Sequence, residues 1–194
     1  MPNLSDLPKV ILASASSRRH ALLSYLLSDF EIQMADIDET PFSGELPEAL
    51  VRRLANSKAH SIWLKNPDSI VIGADTIVTL GDEIFGKPLS QNDSMRVLKK
   101  LSRQRHIVMT SVAMFGADKK ISKVVKTEVE FTSLSEKQIN AYWQTGEPQD
   151  KAGSYAIQGI GGKFVKQING SYSNVVGLPL VETQLMLAQM GIHE

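Results

Sequence analysis

The sequence predicts an α/β fold built on a mixed β-sheet with helices packed on it. Three observations carry that expectation. Apolar β-branched runs alternate with segments whose apolar residues recur at helical spacing, as interleaved strands and helices require. Short turn signals, Gly81-Asp82 and Gly116-Ala117-Asp118, join neighbouring strand-like runs, so part of the sheet consists of antiparallel hairpins. The 194 residues, 42% hydrophobic and 22% charged, have an ordinary globular composition. A chain of this size buries about 70% of its unfolded surface and needs no metal or disulfide staple.

In chain order, Val10 to Ala13 reads as a buried strand. A helix follows with the stripe Ala21, Leu22, Tyr25 and Leu26, and Ser17 as its candidate cap. Phe30 to Met34 alternates like a second strand. After the polar stretch containing Pro41, Gly44 and Pro47 comes a helix from about Glu48 to Leu64, striped by Val51, Leu54, Ala55, Ala59 and Ile62. Ser69 to Leu80 is strongly β-forming and turns into a short strand, Glu83 to Phe85. Ser90 and Asp93 have the spacing of a capping box for a helix through Leu101. Ile107 to Phe115 and Lys120 to Thr132 form the second hairpin. Ser135 to Gln144 is a short helix closed by Gly146 and Pro148. A Gly-rich loop, a strand at Phe164 to Ile168, an Asn169-Gly170 turn and a helix near Pro179 to Met190, capped by Gly191, complete the chain.

Composition excludes several functions. Lys+Arg and Asp+Glu balance at 21 each, which argues against a nucleic-acid polymer as partner while allowing an anion in a local pocket. With no cysteine, thiolate catalysis, cysteine-ligated zinc and disulfides are ruled out. Residues 1–8 read as a loose extension, polar and carrying Asp6 rather than a signal peptide. No apolar run approaches transmembrane length, so no membrane is expected as a partner and the expected location is the cytoplasm.

Five features carry chemistry. In "ASASSRR", Ser14, Ser16 and Ser17 put hydroxyls at the carboxyl end of a strand, where α/β folds bind ligands. Arg18 and Arg19 then fall in the first helical turn, a disfavoured place for cations unless phosphate lies nearby for their guanidinium forks. In "VIGADTIVTL", Asp75 and Thr76 interrupt an apolar run, and a carboxylate there needs a cation, a metal or donors, or else caps a bend beside Gly73. Lys58 lies on the apolar stripe of its helix and either snorkels to a rim or points into a charged pocket, while Lys87 sits on a turn between Gly86 and Pro88. In "DKAGSYAIQGIGGKFV" the glycines allow close backbone approach to a ligand, and the Gln158 amide can read a base edge. The run is neither a P-loop nor a dinucleotide fingerprint. Asp36, Asp38 and Glu39 form an acidic cluster of the oxygen type that suits Mg²⁺, or only a solvated loop. His20, His60, His106 and His193 show no ligand spacing.

Taken in order, "LASASSRRHALL", "DIDETP", "RLANSKA", "GADTIV", "GKP", "DKAGSYAIQGIGG" and "INGSYSNVVGLPL" resemble the Maf-like nucleoside triphosphate pyrophosphatases across almost the whole chain. Ser57 departs from the acidic residue often found at its position in the family. The resemblance implies a single domain with an elongated mixed sheet, two lobes around a central cleft as in Maf and ITPase-like proteins, and a homodimer. It implies hydrolysis of a nucleoside triphosphate to monophosphate and pyrophosphate with Mg²⁺ or Mn²⁺. By the same resemblance Ser14, Arg18, Arg19, Lys58 and Lys87 hold the phosphates, Asp75 accepts the water proton, and Glu39 and Asp75 serve the metal. "GADT" and "AIQG" look like the dTTP/UTP branch, with Arg18, Thr76 and Gln158 at its specificity positions. A Gln amide matches the N3–H and carbonyls of uracil and thymine, whereas a cationic methylated guanine suits a carboxylate. The competing readings are a methylated-GTP pyrophosphatase of the same family and a nucleotide-binding regulator of septum formation with little catalysis.

Overall fold

The computed structural model describes residues 8–193. The expected loose extension at residues 1–8 therefore lies, apart from Pro8, outside the described residues. The fold is α/β with a seven-stranded mixed sheet flanked by helices. The strands are β1 (Val10–Leu12), β2 (Glu31–Ile32), β3 (Ile70–Leu80), β4 (Glu83–Phe85), β5 (Arg105–Phe115), β6 (Lys120–Phe131) and β7 (Val165–Asn169). They run in the order β2-β1-β3-β5-β6-β7, with β4 paired to β3 off that path. β1 is parallel to β2 and to β3, whereas β3–β4 and β6–β7 are antiparallel. The helices are α1 (Ser17–Leu23), α2 (Pro47–Trp63), α3 (Gln91–Leu101), α4 (Glu136–Trp143), α5 (Tyr172–Val176) and α6 (Leu180–Gln189). Among the described residues no helix is long and apolar enough to cross a membrane.

The chain divides into two compact units. The first comprises Met1–Asp75, Thr110–Val125 and Gly177–Glu194; the second comprises Thr76–Met109 and Lys126–Val176. The core of the first joins Ile11 and Ala13, Ala55, Ala59 and Ile62 of α2, Val71 of β3, and Ala113 and Phe115 of β5. The core of the second is more aromatic, with Phe85, Phe131, Tyr142, Tyr155 and Phe164 packed around Val97, Leu98 and Leu101 of α3. There Phe131 meets Tyr155 edge-on at 4.8 Å between ring centroids, and Tyr142 meets Phe164 at 5.0 Å.

Local sequence explains where α2 begins and how it docks. Pro47 occupies its first turn, where a missing N–H costs nothing, and Glu48 complements the dipole. The stripe Val51, Leu54, Ala55, Ala59 and Ile62 is buried as expected. Gly73 on β3 lets the helix press close, since a β-carbon there would lie 2.4 Å from the Ala55 carbonyl and 2.5 Å from the Ala59 nitrogen. Lys58 sits one residue from Ala59, and Asp75 two residues beyond Gly73.

Several expectations are corrected in detail. α1 is capped by Ser16, whose Oγ accepts the Arg19 N–H at 3.4 Å, and Ser17 is its first residue. The helix ends at Leu23 and continues as a tighter turn, with the Tyr25 and Leu26 N–H groups bonded three residues back. Leu22, Leu23 and Leu27 are buried, Ala21 is exposed within the helix, and Tyr25, past the change of period, is 77% exposed. The second strand shrinks to two exposed residues. Ser90 caps α3, but the Asp93 carboxylate accepts from the Leu89 N–H, so only half of the expected box forms. A full capping box, Ser135 with Gln138, starts α4 instead. Helix α5, unforeseen from the sequence, is a short turn tied down by Asn174, whose side-chain amide donates to the Val108 carbonyl and to Thr127 Oγ1.

Candidate active site

In the first unit, α2 and β3 bring two opposite charges out of water together. Lys58 Nζ lies 2.6 Å from Asp75 Oδ1, with both side chains about nine-tenths buried. The same ammonium reaches Glu39 Oε1 at 2.7 Å, and Glu39 itself is half-exposed. Asp75, placed by the apolar run of β3 in an interior that cannot hydrate it, thus meets a cation. Of the two outcomes open for Lys58, the charged pocket is the one that the structure takes.

Arg19 joins this cluster. Its Nε donates to the Gly177 carbonyl at 2.9 Å and one terminal nitrogen donates to Ser14 Oγ at 3.3 Å. Burial lowers its pKa below the ordinary guanidinium value; the Asp75 charge pushes the other way, the Arg18 charge lowers it further, and Glu39 raises it. Asp75, Arg18 and Glu39 therefore all lie within electrostatic reach of Arg19. Buried Ser14 turns its hydroxyl back to the Ser16 N–H as well. Ser14, Arg18, Arg19, Glu39, Lys58 and Asp75, predicted from separate motifs, gather in one unit.

The acidic cluster does not act as a group. Asp38 Oδ1 accepts the Thr40 N–H at 2.9 Å, a local turn contact, and the Thr40 hydroxyl and N–H hold its carboxyl below the ordinary value. Asp36 is exposed, and of the three carboxylates Glu39 is the one bonded to Lys58. Among the described residues no three His, Asp or Glu side chains are placed to hold a metal together. The segment carrying Glu39 is fastened to α2 by Arg53, a contact the sequence reading missed. Arg53 bonds both Glu45 oxygens, at 2.7 and 2.8 Å, and the Thr40 carbonyl at 3.0 Å, and lies 4.0 Å over the Phe42 ring.

Thr76, Lys87 and Gln158 belong to the second unit. Thr76 is half-buried, and Lys87 and Gln158 are exposed. The turn carrying Lys87 is held where the Gly86 carbonyl accepts the Gly153 N–H at 3.1 Å. The glycines that were expected to admit a ligand make room for the protein's own groups. A β-carbon at Gly153 would lie 2.8 Å from Val78, one at Gly159 2.3 Å from Glu147, and one at Gly161 2.5 Å from the Tyr142 hydroxyl. Glu147 accepts hydrogen bonds from Tyr142 at 2.6 Å, the Ile160 N–H at 2.8 Å and the Gly161 N–H at 2.9 Å. Burial raises its carboxyl pKa, but these three donors more than offset that and leave it lowered. No hydrophobic period marks this contact, because two of its partners are backbone.

His106 is buried on β5, with Nε2 2.9 Å from the Tyr155 hydroxyl, and desolvation lowers its pKa to about 4. His60 stacks on Trp63 and His20 meets the Phe30 edge.

The Maf-like protein family matches residues 9–190. A dTTP/UTP pyrophosphatase from Pseudoalteromonas atlantica is 51% identical over 95% of this chain and 99% of its own length. One from Shewanella oneidensis is 49% identical over 94% of this chain and 98% of its own. The structure of the Staphylococcus aureus Ham1 protein aligns with a TM-score of 0.42 at 16% identity, over 64% of this chain and 72% of that one. The family match spans nearly all of the described residues and every segment that builds the cluster around Lys58, and the chain therefore belongs to the Maf-like proteins.

Proposed function

We propose that this chain is a nucleoside triphosphate pyrophosphatase that hydrolyses dTTP and UTP to the monophosphate and pyrophosphate. The substrate assignment is supported by the relatives at about half identity over nearly the full length. The observation that carries the mechanism is the ammonium of Lys58 between Asp75 and Glu39, beside Arg19 and Ser14. Arg18, Arg19 and Lys58 of the first unit neutralise the triphosphate oxygens and Ser14 donates to them. Asp75 accepts the proton of the attacking water on the oxygen not held by Lys58. The water oxygen bonds to phosphorus, the anhydride bond breaks, and its electron pair leaves with the departing phosphate group. Stabilising and positioning these charges is the main catalytic requirement, and no covalent nucleophile is needed.

The residues present fit a divalent cation. Glu39 Oε1 and Asp75 Oδ1 already share one cationic group, and hard cations such as Mg²⁺ or Mn²⁺ are commonly held by one or two carboxylates with water and phosphate completing the shell. When bound, such an ion supplies charge neutralisation at the phosphates. Thr76 and Gln158 of the second unit select the base, with the Gln158 amide set against the N3–H and carbonyl of uracil or thymine. A homodimer fits the exposed apolar side chains Tyr25, Val181 and Leu185 of the first unit. The cytoplasm, where nucleoside triphosphates are made and used, is the location this reading implies.

The deciding experiment is pyrophosphate release over dTTP, UTP, CTP and methylated GTP, with Asp75→Asn alongside. We expect dTTP and UTP to be preferred and the variant to lose about 10²–10⁴-fold in turnover while still binding nucleotide. Preference for methylated GTP would sink the pyrimidine assignment, and tight binding without pyrophosphate release would favour a regulator. Full activity in Asp75→Asn would remove Asp75 from the mechanism.

A further inference from the structure

The arc from Ala156 to Gly161 carries Gln158 at its middle, and the second unit grips that arc at both ends. At one end the Ala156 N–H donates to the Tyr142 hydroxyl at 3.1 Å. At the other the Ile160 and Gly161 N–H groups donate to the two oxygens of Glu147. Tyr142 donates to Glu147 at 2.6 Å, so the two grips are one hydrogen-bonded unit. Tyr142 is fully buried against Phe164 and Glu147 sits just after the end of α4, so both anchors stand on packed structure. Glycine at 159 and 161 is what allows the carboxylate and the phenol to come this close.

We propose that Glu147, with Tyr142, is a positioning pair for base selection that fixes Gln158 without touching the nucleotide. The inference rests on the reading of Gln158 as the base-reading residue. An amide is a weak discriminator by itself: turned over, it offers cytosine the donor and acceptor it needs as readily as it offers uracil the reverse. Gln158 can favour UTP over CTP only if its reach to the base is fixed, so that the amide cannot shift to follow either pyrimidine. Its own side chain is exposed, which leaves the backbone clamp to supply that constraint. A carboxylate suits this task because it accepts from all three donors at once. A Gln at 147 would turn an N–H₂ toward at least one of them.

The test compares Glu147→Gln, Tyr142→Phe and Gln158→Ala with the unaltered protein. UTP and CTP differ at the base edge that Gln158 faces, so the kcat/KM ratio between them is the main readout. Exchange of the Ile160 and Gly161 amides is the second. In Glu147→Gln the UTP/CTP ratio should fall about tenfold, mostly through a higher KM for UTP with kcat changed less than about threefold. The two amides should exchange faster. Tyr142→Phe, a smaller change in case the first variant folds poorly, should move both readouts the same way by about threefold. An unchanged ratio in Glu147→Gln, with Gln158→Ala lowering it, overturns the positioning role. So does an equal loss on both nucleotides with amide exchange unaltered, which a merely structural role predicts. If Gln158→Ala leaves the ratio untouched, the base-reading assignment fails and takes the selectivity claim with it, even where faster amide exchange still marks the clamp.

Discussion

The two units treat buried polar groups differently. In the first, the interior contains ionised side chains, Asp75 and Lys58, held by each other and joined by Glu39 and Arg19. In the second, the buried titratable groups are kept neutral: desolvation pushes His106 down and Tyr155 up, and they bond to one another inside an aromatic core. The exposed residues proposed for the site there, Lys87 and Gln158, stand on backbone secured by other residues. Charge is thus buried where phosphorus chemistry would need an unhydrated acid. Around Gln158, the proposed base reader, order comes instead from main-chain hydrogen bonds.

The most severe way to break this contrast is to remove the cation from the first unit. Lys58→Met leaves the Asp75 carboxylate buried without its ammonium, and a half-broken buried pair typically costs about 3–5 kcal/mol. We expect that loss in urea unfolding, together with a fall in pyrophosphate release of at least about 10²-fold, and the stability loss should be largely relieved in Lys58→Met/Asp75→Asn. A double variant no more stable than the single one would show that the pair is not what holds these charges.

Acid should sharpen the contrast from the other side. The folded pKa of His106 is about 4, below its unfolded value of 6.5. Above pH 6.5 the neutral ring's contribution is complete. As pH falls from 6.5 to about 4 the unfolded chain takes up a proton that the folded chain refuses, and stability drops by roughly 3 kcal/mol. His106→Gln should flatten the profile in that window, as read by urea midpoints at stepped pH. Carboxylates held low, such as Glu147, keep their contribution until pH falls below the ordinary value of 4.5, so between 6.5 and 4.5 the loss belongs to His106 and not to them. An unchanged slope in the variant would place the acid sensitivity elsewhere.

The smallest expected effect concerns Arg53. Arg53→Gln removes the fork on Glu45 and the cation over Phe42, loosening the segment that delivers Glu39 to Lys58. Turnover should fall about tenfold at saturating nucleotide, with partial recovery at high divalent cation. Unaltered turnover would mean that Glu39 finds Lys58 without this tether.

Much of this architecture was legible because it follows from periodicity. The α2 stripe, the long β3 run and the two hairpin turns were each read to within a few residues, and Lys58 stood out because it interrupts an apolar face. Asp75 stood out for the same reason on a strand. What escaped depends on partners that have no period. Glu147 acts on backbone N–H groups, Arg53 on a carboxylate eight residues earlier, and Asn174 on a carbonyl of β5. The end of the α1 stripe, Tyr25 and Leu26, was misread because the helix stops at Leu23, and a change to a tighter turn rotates every later side chain. Of the two readings open for the acidic cluster, Asp38 takes the local-loop one by accepting from the Thr40 N–H.

The bare α-carbon at position 73 has a consequence for anyone diversifying this protein. Even a methyl group would intrude 2.4 Å from the Ala55 carbonyl, on main chain that has no rotamer to escape into. A saturation library at that codon should therefore score as a single survivor. Raising nucleotide or ion concentration should rescue none of the losers, because the fault lies in the seat of the helix rather than in the occupancy of the pocket.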